Sequence, residues 1–331
     1  MQIKNGSLII SLDFEMMWGV RDVVTKESYG NHIVGVHTAL PRILDCFEQH
    51  KITATFAAVG FLFCKNKAEI VQNIPSQLPG YTDKNLLPYG DYLDKIVGSN
   101  DEDDPYHFGW RLMEKIKNTE GQEVGTHTFC HYYCLEAGQT VDEFEDDLLS
   151  AIKVAGSQNI KLHTIIFPRN QVNEDYLGIC RRHGILCYRG TESSWIYQPR
   201  NEEKESLIRR AIRLMDAYLN LSGHNCHSYK YMASQQPYNM ASSRFLRPFS
   251  KRLVRLEWLR LRRIKNSMTY AAKNNLAYHL WWHPHNFGIN QSENIFFLEK
   301  ILGHYLLLNK EYGFESITMG SLAKKLANLP N

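Results

Sequence analysis

The stretch Ser7-Leu8-Ile9-Ile10-Ser11-Leu12-Asp13-Phe14-Glu15 has the pattern of a buried strand that ends in carboxylates. The aliphatic residues of Ser7 to Leu12 predict the strand. Because side chains alternate along a strand, Asp13 and Glu15 point to the same side. A buried strand has little reason to end in this way unless the carboxylates are solvated or bind something. A helix cap or a loop salt bridge is the simpler alternative.

Strand-like and helix-like patterns alternate at least four times over the first 190 residues. This alternation predicts a parallel α/β architecture, either a barrel or a doubly wound sheet, with chemistry placed after strand ends. The chain has no Gly-x-Gly-x-x-Gly and no phosphate-loop motif, which argues against a dinucleotide or ATP enzyme. The predicted strands after the first are 52–60, 164–167, 184–188 and 277–282. The predicted helices are 38–50, 66–75, 110–117, 141–154, 176–183, 203–221 and 293–309.

The bulk composition is that of an ordinary globular protein. The 331 residues are 44% hydrophobic and 22% charged, and the net charge of +3 is too small to indicate nucleic acid binding. No apolar run of about 18 residues predicts a membrane span. Seven scattered cysteines and an amino terminus without a signal-peptide pattern favour a cytoplasmic protein with reduced thiols.

The region from about 195 to 275 departs from the alternating pattern. We interpret it as an α-rich elaboration of a single domain that spans 1–331. Within 244–265 nine residues are Lys or Arg, and only Glu257 is acidic. This basic stretch predicts either an amphipathic helix with a solvated face or a cationic rim that binds an anionic partner. Such a partner could be a diphosphate-linked sugar, a lipid headgroup or an acidic glycan, and binding to lipid would bring the protein into peripheral contact with a membrane.

His127 and His131 follow a strand-like run and are four residues apart. On a helical turn two histidines at this spacing share one side and can bind one metal ion. With Asp13 they form a ligand set that suits zinc, and the second carboxylate could take a proton from water. Cys130 and Cys134 suggest a structural Cys/His zinc site instead, although these thiols lie off the histidine side of such a turn.

Other polar residues also follow predicted strands. Arg169 is either a surface cation or a fixed cation that orients a catalytic carboxylate. His283 follows the strand that ends in two tryptophans and is a candidate proton donor, with His285 as its rival. His224 and His227 have weaker support as ligands because no strand end precedes them.

In their order and approximate spacing, these residues resemble the motifs of the NodB-like polysaccharide deacetylases, carbohydrate esterase family four. Beyond the first strand, Ala54-Thr55-Phe56 and Gly60 resemble the second strand of that family. The sequences that resemble the family's metal, arginine and late histidine motifs are His127-Thr128-Phe129-Cys130-His131, Phe167-Pro168-Arg169 and Trp282-His283-Pro284. The resemblance implies a distorted, incomplete (β/α) barrel and a zinc-type metal held by an Asp and two His. It also implies an arginine that orients the base and a late histidine that acts as the acid.

The first motif departs from the family's adjacent Asp-Asp pair. A gapless match places Asp13 at the base position and Phe14 at the metal position, where phenylalanine cannot bind a metal. We therefore predict Asp13, His127 and His131 as metal ligands and Glu15 as the group that reaches the water. The two carboxylates could also exchange these roles.

Three functions are consistent with the sequence. The first is a metal-dependent hydrolase that removes an N-acyl group, with acetyl preferred, from an amino sugar in polysaccharide or glycolipid synthesis. The second is an amidase for a small cyclic amide or imide on the same scaffold. The third is a carbohydrate-binding relative that has lost its metal and its activity. Catalysis in the first would use Glu15, Asp13, Arg169 and His283.

Overall fold

The predicted amino-terminal strand lies at the centre of a parallel sheet. A computed structural model describes residues 3–192, 194–197 and 207–328. Strand β1, Ser7–Phe14, is buried along its whole length. It pairs in parallel with β2, Thr55–Ala58, and with β8, Ala277–Trp282. Burial on both sides explains why its aliphatic residues run nearly without interruption, since strands covered by helices on one face and by packed side chains on the other need no polar face.

The other strands extend this sheet on both sides of β1. The strand order is β6-β5-β4-β3-β2-β1-β8-β7, and β9 pairs with the first residues of β1. The eight ordered strands wrap through 246°, which confirms the predicted incomplete (β/α) barrel. These further strands are β3, Glu123–Thr126; β4, Thr164–Ile165; β5, Cys187–Tyr188; β6, Tyr238–Asn239; β7, Arg244–Phe245; and β9, Glu315–Ser316.

Strands β6 and β7 lie at the two opposite edges of the sheet. Strand β6 pairs with β5 and β7 pairs with β8, although only residues 240–243 separate them. Residues 240–243 also form backbone hydrogen bonds with both edges of the sheet. Met240 N donates to Tyr188 O of β5, and Ser243 N donates to His279 O of β8. The two edges therefore approach within the reach of four residues. The region 195–275 thus contributes strands to the barrel as well as helices.

Helices surround the sheet at the predicted places, with shifts of a few residues. The predicted helix over 203–221 is shorter: α7 ends at Asp216, whose carboxylate accepts bonds from the backbone N–H groups of Leu221 and Ser222. Residues 203–206 of that prediction lie outside the described residues. The helices are α1, Lys26–Val34; α2, Val36–Gln49; α3, Lys67–Gln72; α4, Trp110–Asn118; α5, Val141–Ser157; α6, Glu174–Arg182; α7, Leu207–Asp216; α8, Tyr229–Met232; α9, Glu257–Lys273; α10, Gln291–Tyr312; and α11, Met319–Ala327.

The main core lies between the sheet and its outer helices. Helix α2 shows how: its apolar residues recur at three- and four-residue spacing and are buried, among them Leu40, Ile43, Leu44 and Phe47. The seven cysteines are free thiols, and all but Cys226 are buried. Within the described ranges, no helix has the length and apolar character to cross a bilayer.

Candidate active site at the carboxyl end of the sheet

Asp13 and Glu15 project from the end of β1, and each is only 3% exposed. Glu15 leaves the strand just before a turn in which Met16 has a φ of 51°. Gly19 faces the Glu15 side chain so closely that a Cβ at Gly19 would lie 2.0 Å from the Glu15 Cδ. Only glycine leaves this space open, so the turn after β1 is shaped to hold the glutamate.

Glu15 lies against both histidines of the predicted pair. Its Oε2 is 3.3 Å from His127 Nε2 and 3.2 Å from His131 Nε2. The three ligand atoms all lie within 4.8 Å of one another, and all three residues are buried. The carboxylate that joins the histidines is thus Glu15, whereas the sequence predicted Asp13 there. Glutamate is long enough to reach past the position of Phe14, which turns into the core.

The histidines are brought together by a loop and not by the predicted helical turn. Residues 127–131 follow β3 without helical structure, and Thr128 and His131 have φ values of 64° and 63°. Asp147 of α5 fixes this loop, because its carboxylate accepts bonds from Phe129 N at 2.7 Å and Cys130 N at 3.0 Å. Among the described residues, the three-ligand group contains neither Cys130 nor Cys134. Both thiols are buried, and burial raises their pKa values well above the usual range.

This donor set fits a divalent metal ion. His127 Nδ1 donates to the Ile166 carbonyl at 2.8 Å, which leaves the Nε2 lone pair facing Glu15. Burial lowers the pKa of His131 to about 4, against the opposing effect of Glu15, so the imidazole is neutral near pH 7. Burial alone would raise the pKa of Glu15, but His283, His127 and His131 outweigh it and hold that pKa well below its usual range. One carboxylate and two imidazoles are typical zinc ligands, and they leave coordination positions open.

Asp13 pairs with Arg189, a residue that the sequence analysis missed. The guanidinium donates from Nη1 to Oδ1 and from Nη2 to Oδ2, each at 2.7 Å, and Arg189 is fully buried. It also donates to Asn170 Oδ1 at 2.9 Å and lies 4.0 Å above the Trp281 ring. Burial would raise the pKa of Asp13, but Arg189, with His127 and His283, lowers it overall.

Arg189 follows β5 directly, so the strand-end rule that selected Arg169 could have found it. Arg169 lies in the same part of the molecule but faces different partners. Its guanidinium donates to Asp22, lies 3.9 Å from Glu136 and stacks 4.4 Å above the Tyr133 ring. The arginine that pairs with Asp13 is Arg189, whereas Arg169 lines the cavity and contacts Asp22, Glu136 and Tyr133.

His283 faces both carboxylates. Its Nε2 is 3.7 Å from Asp13 Oδ2 and 3.7 Å from Glu15 Oε1, and the side chain is 22% exposed. His285 stacks on it with ring centroids 4.8 Å apart but is buried, and burial lowers its pKa to about 3. Of the two rivals, His283 is the one that combines access to the cavity with contact to Asp13.

His224 and His227 lie elsewhere. His224 Nδ1 is 3.1 Å from Ser267 Oγ, and His227 Nε2 is 3.1 Å from the Ser242 carbonyl. The backbone of His227 pairs with Ala277, at the amino end of β8 and therefore at the opposite end of the sheet. Both histidines have structural hydrogen bonds and no part in the site.

The two carboxylates open onto a cavity of about 270 Å³. It contains the predicted Arg169 and His283 together with aromatic side chains that the sequence did not single out. Its lining residues are Asp13, Glu15, Gly19, Val20, His131, Arg169, Asn170, Phe245, Trp281, His283, His285 and Asn286. The arrangement combines a carboxylate fixed by a cation, a three-ligand group and an accessible imidazole within one pocket.

No family model and no curated protein matches the chain. Solved structures of the same fold do match. One, assigned as a polysaccharide deacetylase from Mycobacterium smegmatis, is 10% identical with a TM-score of 0.57, and the match covers 99% of this chain and 92% of that one. Another, assigned as a polysaccharide deacetylase from Pseudomonas aeruginosa PAO1, is 9% identical with a TM-score of 0.53, and covers 96% and 89%. The chain therefore has the fold of these polysaccharide deacetylase structures.

Proposed function

We propose that this protein is a divergent NodB-like polysaccharide deacetylase, a metal-dependent hydrolase that removes an N-acyl group, acetyl first of all, from an amino sugar. One observation carries the proposal. Two carboxylates from one strand end have different partners at a single cavity: Glu15 lies with His127 and His131, and Asp13 lies with Arg189. Metal-dependent amide hydrolysis uses both a Lewis-acid centre and a separate base, and the partners of Glu15 and Asp13 supply a group for each role.

Glu15, His127 and His131 would hold the metal, with zinc as the ion that their chemistry suits best. When bound, such an ion polarises the amide carbonyl and makes water a nucleophile at neutral pH. Gly19 keeps the space for the Glu15 side chain, and the Ile166 carbonyl keeps His127 in the tautomer with a free Nε2.

Asp13 is the proposed base. Arg189 keeps this carboxylate ionised and fixes both of its oxygens, so that Asp13 can accept the proton of the attacking water. The Trp281 ring beneath the guanidinium and the Asn170 side chain beside it hold Arg189 in turn. In this scheme Arg189 positions the base and does not itself touch the substrate.

His283 is the proposed acid. Its Nε2 lies 3.7 Å from Asp13, on the accessible side of the site, where it can protonate the departing nitrogen. The water oxygen first bonds to the carbonyl carbon as Asp13 takes a proton from the water, and the carbon–nitrogen bond then breaks as His283 gives its proton to the nitrogen. The products are a carboxylate and a free amino sugar. Phe245 and Trp281 on the cavity wall offer apolar surface against which a sugar ring can pack.

The test is acetate release from N-acetylated amino sugars, monomeric, polymeric and lipid-linked, by the purified chain. We expect activity that a chelator removes and that zinc restores. Asp13→Asn should reduce release at least about 10²-fold, and Asp142→Asn, at an exposed position of α5, is the matched control that should not. Ring opening of cyclic amides without acetate release would support the amidase. A metal-free protein that binds glycans without turnover would support the carbohydrate-binding alternative.

A further inference from the structure

The polarity of helix α7 is inverted relative to an ordinary surface helix. Arg209 is buried, and its guanidinium donates to the carbonyls of Ile196 at 3.0 Å and Trp195 at 2.8 Å. Ile208, in contrast, is 74% exposed, and Met215, seven residues later on the same side, is also exposed. A helix normally turns its apolar stripe to the core, so a stripe that faces outward indicates that something else covers it.

The beginning of α9 shows the same inversion. Arg260 and Arg263 are buried, while Val254, Leu256 and Trp258 are exposed. Arg263 donates to Ser267 Oγ at 2.7 Å, and Arg260 binds Glu257 and the Arg247 carbonyl. The basic stretch 244–265 is therefore not one solvated face, because some of its arginines are internal while Val254, Leu256 and Trp258 are exposed.

These segments pack into one unit. Asp216 at the end of α7 pairs with Arg244 of β7 at 3.2 Å and accepts a bond from the Tyr197 hydroxyl at 2.6 Å. The Arg247 carbonyl in turn receives the Arg260 side chain. We call the outward residues of this unit the inverted face. Its apolar members are Trp195, Ile208, Met215, Val254, Leu256 and Trp258, and its exposed cations are Lys251, Arg252, Arg255 and Arg262.

Two segments of the inverted face are joined to the active-site cavity by short stretches of chain. The chain needs only six residues to pass from Arg189, in the site, to Trp195. In a second segment, six residues also separate Phe245, on the cavity wall, from Lys251. Six residues span at most about 21 Å. Both segments leave the carboxyl end of the sheet, where the site also lies.

The chemistry of the face fits an anionic lipid surface. Within 251–262 four exposed cations stand beside a single acid, Glu257, which is bound by Arg260. Of the six tryptophans only Trp195 and Trp258 are exposed, at 62% and 59%. Interfacial tryptophan, exposed aliphatic groups and interleaved cations are what a protein needs to lie on a bilayer. A glycan would match the cations but offers no apolar layer for the aliphatic side chains.

We propose that the inverted face docks this protein on the surface of an anionic lipid bilayer. The aliphatic and tryptophan side chains enter the headgroup region, and the four cations pair with lipid phosphates or carboxylates. The proposal is independent of which substrate the site takes.

Sedimentation of the full chain with vesicles tests this proposal. We expect binding to phosphatidylcholine vesicles that contain phosphatidylglycerol, weaker binding at high salt, and little binding to phosphatidylcholine alone. Arg252→Glu with Arg255→Glu should weaken binding at least about tenfold, because each cation near an anionic surface contributes roughly a fivefold effect. Trp195→Ala with Trp258→Ala should weaken it by a comparable factor, since two interfacial aromatics are lost.

The matched controls are Lys310→Glu and Leu307→Ala, exposed residues near the end of α10. Both residues precede β9, which pairs with the first residues of β1, so they lie at the end of the barrel opposite the site. The two control variants should therefore bind vesicles as the unaltered chain does. Equal binding to neutral vesicles, or equal losses in the controls, would overturn the proposal. So would the absence of vesicle binding together with a concentration-dependent dimer that Trp195→Ala and Trp258→Ala disrupt.

Discussion

Asp13 and Glu15 leave the same strand end two residues apart, yet they lie in two different chemical surroundings. Asp13 faces a fully buried guanidinium and has both oxygens bound by it. Glu15 faces the imidazoles of His127 and His131, whose Nε2 atoms lie 3.3 and 3.2 Å from its Oε2. The pKa of each carboxyl is lowered, but by different neighbours. The comparison shows that the partner, and not the type of carboxylate, determines which of the two suits a base and which suits a metal.

The largest expected loss of activity comes from a substitution that removes the Glu15 side chain and leaves the surroundings of Asp13 intact. Glu15→Ala should remove the metal and reduce acetate release by at least about 10³-fold, because it deletes a ligand while leaving Asp13 and Arg189 in place. Elemental analysis of the purified variant and the acetate assay check this. If Asp13→Ala were the variant that lost metal while Glu15→Ala retained it, the roles would be those predicted from the sequence.

Asp13→Asn should reduce kcat by about 10²- to 10⁴-fold with the metal content unchanged, because an amide cannot accept the proton of water. The amide keeps the volume of the carboxylate, so folding should be retained. Thermal unfolding and metal analysis serve as controls. A kcat within a few fold of that of the unaltered chain would show that the proton goes elsewhere.

Arg189→Ala should lower the free energy of unfolding by about 3–5 kcal/mol, because it leaves the buried Asp13 carboxylate without its cation. Urea denaturation measures this loss. Arg189→Lys retains the charge but not the paired donors, so it should recover part of the stability and less of the activity. A stability loss below about 1 kcal/mol in Arg189→Ala would contradict the importance of this pair.

A third buried carboxylate, Asp104, lies outside the three-ligand group and sharpens the comparison. Asp104 binds His107 Nδ1 at 2.7 Å and the Gly98 N–H at 2.8 Å. Burial would raise the pKa of Asp104. The hydrogen bond with His107 and the charge of that imidazole outweigh burial and lower the pKa from 3.8 to about 2. The lowered pKa means that ionised Asp104 stabilises the fold above about pH 4, and that this contribution is lost as the pH falls toward 2.

Asp104→Asn should therefore destabilise the fold at pH 7 by about 1–3 kcal/mol, and the difference from the unaltered chain should shrink below pH 4. Urea denaturation at several pH values measures it. Because Asp104 is not part of the site, kcat should not change. A difference that grew at low pH would contradict the assigned direction.

The smallest expected effect concerns Arg169. On the cavity wall Arg169 contacts Asp22, Glu136 and Tyr133, whereas Asp13 pairs with Arg189. Arg169→Lys should therefore change KM by less than about tenfold and leave kcat close to that of the unaltered chain. If Arg169→Lys lost as much kcat as Arg189→Lys, Arg169 would be the arginine that positions the base, as the sequence predicted.

Much of the site could be predicted because it depends on local rules. Strand patterns located β1, β3 and β8, and the residues after them supplied Asp13, Glu15, His127, His131 and His283. All five converge at the carboxyl end of one sheet. The rule that parallel strands bring their ends together does not require knowledge of any long-range contact.

The sequence by itself therefore determined a parallel α/β architecture, which the resemblance of its motifs narrowed to an incomplete barrel, and most of the polar groups at the carboxyl end of the sheet, although it missed Arg189. Only the tertiary structure decided which groups pair. Asp13 meets Arg189 across 176 residues, and a strand pattern gives the side on which a side chain lies but not the atom it meets. The same limit applies to 244–265, where composition counted nine cations but only packing separates the buried arginines from the exposed ones. Periodicity is a property of neighbours in the chain, whereas pairing and burial depend on distant segments that come together only on folding.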